Sequence, residues 1–432
     1  MRKLQWLAVL AAWMLTATAQ AQLKIDITRG VTDPVPVAVV PFAQSPQDAA
    51  VLDIAAVVQR DLESSGRFKG MLRDAMPARP TRAADVEASS WRALRNDYVV
   101  VGRQVSRAPN QVRVEFELIN ALTGQVLLQE YVEESSATQR RGAHRVADRI
   151  YEKITGTRGA FSTRIAYISV DGQPPSQRYQ LLVADADGEN ARVAMESRQP
   201  IMSPAWSPDG QSLAYVSFEN RVSAIFVQQV RTGERTQVSA RAGINGAPAW
   251  SPDGKKLALT LSGSGGNLDV YVLDLTTQEL TRITDDPAID TEPSWSSDGQ
   301  SLYFTSDRGG NPQIYKAAAR AGVRAQRVTF GGAYAARPRI SPDGRTLSVV
   351  TQDGGSFRIG VADPTMGQVT ALTRGPLDES PSFAPNGAVL IYAGRVGGQG
   401  VLATVSVDGQ ISQQLKSDQG EVREPAWGPF LD

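Results

Sequence analysis

The chain has 432 residues, with 45 lysines and arginines balanced by 45 aspartates and glutamates, one histidine and no cysteine. That length exceeds what one hydrophobic core supports, about 250–300 residues, so two or more folding units are expected. Balanced charge gives no overall field toward nucleic acid or an anionic membrane, and the lack of cysteine removes disulfides, thiol chemistry and cysteine lipidation.

Residues 1–21 read as a secretory signal: Arg2 and Lys3, an apolar run over 4–15, then Ala19-Gln20-Ala21 as a small-residue cleavage site. The competing reading is a membrane anchor, but the run is shorter than the ~20 residues that span a bilayer. A periplasmic protein without membrane insertion is expected. Residues 22–33 follow as a short alternating strand with a glycine stop at Gly30. The residues alone favour an ordinary edge strand of the following domain over a strand that pairs with another protein's sheet.

Residues 34–156 read as a small α/β domain. Val37, Ala38, Val39, Val40 and Phe42 form a buried strand ended by proline. A helix should follow, with Ser45 as its N-cap, Pro46 in its first turn, Val51, Ile54, Ala55, Val58 and Leu62 on one face, and Gly66 as its stop. Strands are expected over 98–101, 112–119 and 126–132, with Thr123-Gly124 between the last two and a closing helix over about 137–155. Gly156 and Gly159, paired after the helix, mark residues 157–161 as a linker.

From residue 162 to 432 the sequence repeats. Pro204-Ala205-Trp206-Ser207-Pro208-Asp209-Gly210 returns from Pro248, Pro293 and, with Ile340 for tryptophan, Pro338, then more weakly from Pro381 and Pro425. The period of about 44 residues suits a propeller blade of four strands. Each unit runs from an apolar strand through two further strands, with the Pro-x-Trp segment as the fourth and Asp-Gly as a hairpin turn. Six apolar first strands give six blades, and the leftover Pro425 segment should pair beside residues 165–169 to close the ring.

No nucleophile elbow, phosphate loop or cysteine site is present, and His144, the one histidine, falls on the closing helix of the first domain, where a structural or surface role is expected. Repetition places the unlike segments before each Pro-x-Trp on one rim of the channel. Asp290, Glu292, Asp378, Glu379, Glu421 and Glu424 against Arg337 and Arg423 make that rim acidic by count.

With Val39-Val40-Pro41-Phe42, Gly159-Ala160-Phe161, Arg164-Ile165-Ala166-Tyr167, Met202-Ser203 ahead of the first repeat, Asn245-Gly246-Ala247-Pro248 and Thr291-Glu292-Pro293, the chain resembles the TolB family, periplasmic propeller proteins of the Tol-Pal envelope system. The resemblance covers nearly everything after the signal. It implies an α/β N-terminal domain plus an all-β six-bladed β-propeller, and binding rather than catalysis. The rim would bind the peptidoglycan-associated lipoprotein Pal at Ala247, Thr291 and Glu292, with Met202, Ser203, Asn245, Gly246, Asp378 and Glu379 as neighbours, and bacteriocin translocation segments would compete there. One departure is Ile244, where familiar members carry histidine. The N-terminal segment, Gln22, Leu23, Lys24, Ile25, Asp26, Ile27, Thr28 and Arg29, would engage TolA. A monomer without cofactor, supporting outer-membrane integrity and constriction during division, is implied. A calcium ion in the channel, and a secreted propeller-type peptidase or glycan hydrolase, stay open as alternatives.

Overall fold

The computed structural model describes residues 23–44, 52–108, 110–262, 266–417 and 420–431. The expected signal over 1–21, Gln22, and the Ser45 cap with Pro46 and Val51 lie outside the described residues.

The first domain follows β1 (Leu23–Arg29) in chain order with β2 (Val35–Val39), α1 (Ile54–Ser64), β3 (Phe68–Gly70), α2 (Ala88–Ala93), β4 (Tyr98–Ala108), β5 (Gln111–Asn120), β6 (Val126–Ser135) and α3 (Gln139–Thr155). Its sheet runs β3-β2-β4-β5-β6, parallel across the first three strands and antiparallel beyond. Alternation decides which face each side chain takes: Val112, Val114, Phe116 and Leu118 of β5 point under the helices. They meet Ile54, Val58 and Leu62 of α1 with Ala143, Val146 and Ile150 of α3, each large side chain adding about 1.5–3 kcal/mol of burial. Asp53 caps α1 by accepting from the Ala56 amide at 3.0 Å. The opposite face is closed by Trp91 of α2, packed on Ala38, Val40, Val99 and Val101.

Gly156 ends α3 in the left-handed region at φ 75°. Gly159 is there for close approach, since a Cβ would stand 2.6 Å from the Asp148 Cα. Asp148 in turn accepts from the Phe161 amide at 2.8 Å and the Ser162 amide at 3.2 Å, so the link between domains is clamped rather than loose.

The rest is a six-bladed β-propeller. Blade 2, for example, consists of Ile201–Trp206, Ser212–Ser217, Ala224–Gln229 and Arg235–Ser239, hydrogen-bonded in that order. The Pro-x-Trp strand is therefore the first strand of its own blade, lining the channel, and not a fourth strand finishing the blade before. The Asp-Gly hairpin explains this phase: it folds the segment back onto the apolar strand that follows it. Ser207 Oγ donates to Asp209 Oδ1 at 2.6 Å, and Asp209 accepts from the Gln211 amide at 3.0 Å, which accounts for the repeated Ser-Pro-Asp-Gly.

The tryptophans also join neighbouring blades. Trp206 Nε1 donates to the Ala426 carbonyl at 3.2 Å, Trp250 to Ala205 at 3.1 Å and Trp295 to Ala249 at 3.0 Å. The ring closes as expected: Glu421–Trp427 is the innermost strand of blade 1, with Trp427 opposite Ile165 on Arg164–Asp171.

β1 leaves the domain that follows it. It runs antiparallel to Ser412–Ser417, the outer strand of blade 6, with Leu23 opposite Ser417 and Ile27 opposite Gln413. The reading of an edge strand of the following domain is thus corrected. A blade's outermost strand offers a row of unpaired backbone groups, and β1 satisfies them.

Candidate protein-binding rim

Each inner strand breaks its register just before its proline, and the residue there is non-glycine with positive φ: Ser203, Ala247, Glu292, Arg337, Ser380 and Glu424, between 46° and 56°. The left-handed region costs an L-residue about 1–2 kcal/mol, and a following proline ordinarily favours extended backbone. Six such residues converge on one constriction of the channel. Nothing in their residue types signals this, because no glycine marks the positions.

Hydrogen bonds between blades hold the ring. Glu424 Oε2 accepts from the Ser203 amide at 2.5 Å. Arg337 Nε donates to Glu292 Oε1 at 2.6 Å and its amide to Glu292 Oε2 at 3.1 Å, while its guanidinium also donates to Ser380 Oγ. Burial alone would lower the Arg337 pKa, but Glu292, Glu424 and Glu379 hold it above the usual guanidinium value. Burial pushes the Glu424 carboxyl up, against the pull of Arg337 and the Ser203 amide. Arg339 lines the same constriction, where burial holds its pKa low.

Strand alternation sorts the remaining rim residues into layers. Met202 is exposed, and Ile244 and Ile289 stand out as apolar side chains 51% and 47% exposed. Ile244, the departure noted from the resemblance, thus faces solvent one residue before Asn245. Gly246, Thr291 and Glu379 are half-buried. Asn245 and Asp378 are buried. Asn245 Oδ1 accepts from Ser239 Oγ at 2.6 Å and the Arg241 amide at 3.0 Å, and Asp378 accepts from the Gly375 amide at 3.0 Å. These two shape the loops from within, while Ser203, Ala247 and Glu292 face the channel.

The acidic rim expected from counting is corrected. Asp290 is buried against Arg308, which reaches its two oxygens at 2.9 and 2.7 Å. Glu292 pairs with Arg337, and Glu421 lies 3.5 Å from Arg423. Arg308 sits in the next hairpin, outside the segments counted, and with it and Arg339 six acids face four arginines, so the excess is halved from four to two. In the constriction the carboxylates are Glu292 and Glu424, facing Arg337 and Arg339. A channel cation would therefore have to draw Glu292 away from Arg337.

A second polar cluster joins the domains. His144 of α3 is 1% exposed and its Nδ1 lies 2.7 Å from Asp61 of α1. Its Nε2 stands 4.0 Å from both Asp185 and Asp187 of the propeller. Asp187 also receives a hydrogen bond from Arg140. Sequence spacing hid this cluster, since His144 and Asp61 are 83 residues apart.

Among the described residues, no helix is long and apolar enough to cross a membrane. Residues 23–127 match the TolB amino-terminal domain and residues 151–431 the TolB beta propeller domain. Similar proteins include Tol-Pal system protein TolB of Thioalkalivibrio sulfidiphilus, 56% identical over 97% of this chain and 96% of the relative. That of Methylococcus capsulatus is 56% identical over 98% of each. A crystal structure of TolB from Acinetobacter baumannii superimposes with a TM-score of 0.87 at 40% identity, covering 95% of this chain and all of that one.

Proposed function

This chain belongs to the TolB family, a non-catalytic component of the Tol-Pal envelope system, and from that premise we propose that it is a periplasmic protein with two binding surfaces, one at the channel rim and one at the outer edge of blade 6. The channel rim takes the lipoprotein Pal, with Met202, Ile244 and Ile289 as apolar contacts and Ala247, Thr291 and Glu292 as the floor, to which Thr291 and Glu292 bring the polar side chains. A protein interface of this make-up, an apolar surround over pre-organised hydrogen-bonding groups, needs little rearrangement on binding. Bacteriocin segments would compete for the same floor.

The segment around β1 takes TolA. The observation that carries this reading is the placement of β1 as a fifth, outermost strand of blade 6, held along one edge only. At the other edge of the same blade lies Ser380, which Arg337 contacts at the rim. Two ligands are coupled when they prefer different states of one segment. Pal at the rim favours β1 docked, and undocking frees the segment for TolA. Together these contacts support outer-membrane integrity and constriction at division.

Calorimetric titration of a variant lacking residues 22–33 tests the assignment. Loss of TolA binding with Pal binding and folding retained is the expected result. Undiminished TolA affinity refutes it.

A further inference from the structure

We propose that the cleft where the start of α3 faces blades 1 and 2 binds a phosphate-class oxyanion, a phosphomonoester or pyrophosphate group, bridging the two domains. This site is remote from the rim and does not depend on the reading above. The cleft has a volume of about 830 Å3, within the ~300–1,000 Å3 of small-ligand sites. Arg140, Arg141, Arg164, Arg192 and Arg231 line it, against Asp185 and Asp209.

The two acids are already engaged. Asp185 accepts from Asn190 Nδ2 at 2.7 Å and lies 3.6 Å from Arg140, and Asp209 accepts from Ser207 and the Gln211 amide in its own turn. Arg141 is paired with Glu134 at 2.8 Å. The side chains of Arg164, Arg192 and Arg231 have no hydrogen-bond or ion-pair partner among the described residues. Arg164 is half-buried, and burial together with the like charges of Arg141 and Arg192 holds its pKa below the usual guanidinium value despite Asp185. Crowding cations without a counter-charge is unfavourable, and an oxyanion with two negative charges relieves it.

His144 Nε2 and Arg140 Nε on the same wall are buried nitrogens without a hydrogen-bond partner, but Asp185 and Asp187 already balance them, at 4.0 Å from His144 and 3.6 Å from Arg140 to Asp185, so the anion's contacts fall to Arg164, Arg192 and Arg231. The first turn of α3 carries no acidic side chain of its own, and the nearest carboxylate, Glu134, is taken up by Thr138 at 2.7 Å and by Arg141. Guanidinium forks match carboxylate and phosphate alike, and it is the three arginines without a counter-charge that favour the doubly charged phosphate over a single carboxylate here.

The test is calorimetry of the purified protein with inorganic pyrophosphate, at low and raised salt, beside the double variant Arg192→Gln, Arg231→Gln. Both side chains are exposed, so circular dichroism should show an intact fold. Arg164→Gln is read separately as a second variant. Saturable one-site binding that weakens at least about tenfold in either variant, and weakens with salt, supports the site. Sedimentation with phosphatidylcholine vesicles, with and without phosphatidic acid, separates the sources. Vesicle binding lost in the variants assigns a lipid headgroup, and pyrophosphate binding alone assigns a soluble ligand. Absence of binding to either probe, or binding equal in protein and variants, overturns the proposal.

Discussion

Glu292 of blade 4 and Arg337 of blade 5 are neighbours 45 residues apart that lock each other's backbone: Arg337 Nε reaches Glu292 Oε1 at 2.6 Å and the Arg337 amide reaches Oε2 at 3.1 Å. Both sit at left-handed φ, 55° and 53°, so the pair holds two strained residues at the channel mouth. The sequence period alone brings them together, because each occupies the same place in consecutive repeats.

Glu292→Lys should disrupt the rim more than any change of its exposed apolar residues. It sets a lysine against Arg337 and leaves the Arg337 amide with Thr305 Oγ1 alone, at 3.0 Å. The pair lies within this chain, so its loss acts on Pal by unfixing the floor that Pal contacts and by placing a lysine there. Surface plasmon resonance against Pal should show that loss mainly as faster dissociation. Affinity within threefold of the unaltered protein would count against the rim as the Pal site.

Trp206→Phe should test the ring's closure. The exchange keeps an aromatic side chain but removes the donor at 3.2 Å from the Ala426 carbonyl, on the innermost strand of blade 1. An acceptor left unpaired in a buried position costs about 1–3 kcal/mol. Urea unfolding followed by circular dichroism should show the midpoint fall without change in secondary structure. An unchanged midpoint would mean that the tryptophans act by packing alone.

Much of this fold was legible because its signals are periodic. The repeated Pro-x-Trp, with Asp209 and Gly210 turning the chain, gives blade number and closure, and the alternation of Val112, Val114, Phe116 and Leu118 gives the sheet of the first domain. The phase of the blade was not legible, since hydrophobic pattern says nothing about which neighbour a strand bonds. Nor was the partner of β1, because strand pairing is non-local and Ile27 meets Gln413 from the far end of the chain. The rim was legible as a place, before each proline, but its charge was not: Asp290 is neutralised by Arg308 only once the hairpin is folded.

The domain junction should make stability depend on pH. Burial favours neutral His144, but Asp61 at 2.7 Å, with Asp187 and Asp185 behind it, raises its pKa from 6.5 to about 9. Burial raises Asp61 to about 6 against the pull of His144, with Asp187 and Asp148 adding to the rise. Arg140 faces the same acids. A raised histidine stabilises fully below its unfolded value of 6.5 and loses that contribution as pH climbs to about 9. The raised Asp61 likewise makes stability fall between 3.8 and about 6. Denaturant midpoints measured from pH 6.5 to 9 should therefore decline, and His144→Leu should flatten that limb while lowering stability at neutral pH by about 3–5 kcal/mol. A profile of equal slope in the variant would remove the histidine as its cause.

Docking of β1 should be tunable at Thr28. Its hydroxyl lies 3.0 Å from the Ser412 carbonyl oxygen and 2.9 Å from Ser412 Oγ, an exposed contact between β1 and blade 6. Thr28→Val keeps the β-branched shape and strand preference while deleting both bonds. Such a contact contributes about 1 kcal/mol, so the undocked population should rise about fivefold. Hydrogen exchange of the β1 amides should quicken by that factor. If TolA selects the undocked segment, its apparent affinity should rise in parallel, because the fraction of competent protein multiplies the intrinsic constant. Pal binding at the rim should then shift back toward β1 docked and slow the exchange, as reciprocity requires. Faster exchange with TolA affinity unchanged would separate docking of β1 from TolA recognition and leave β1 as a strand of the propeller alone.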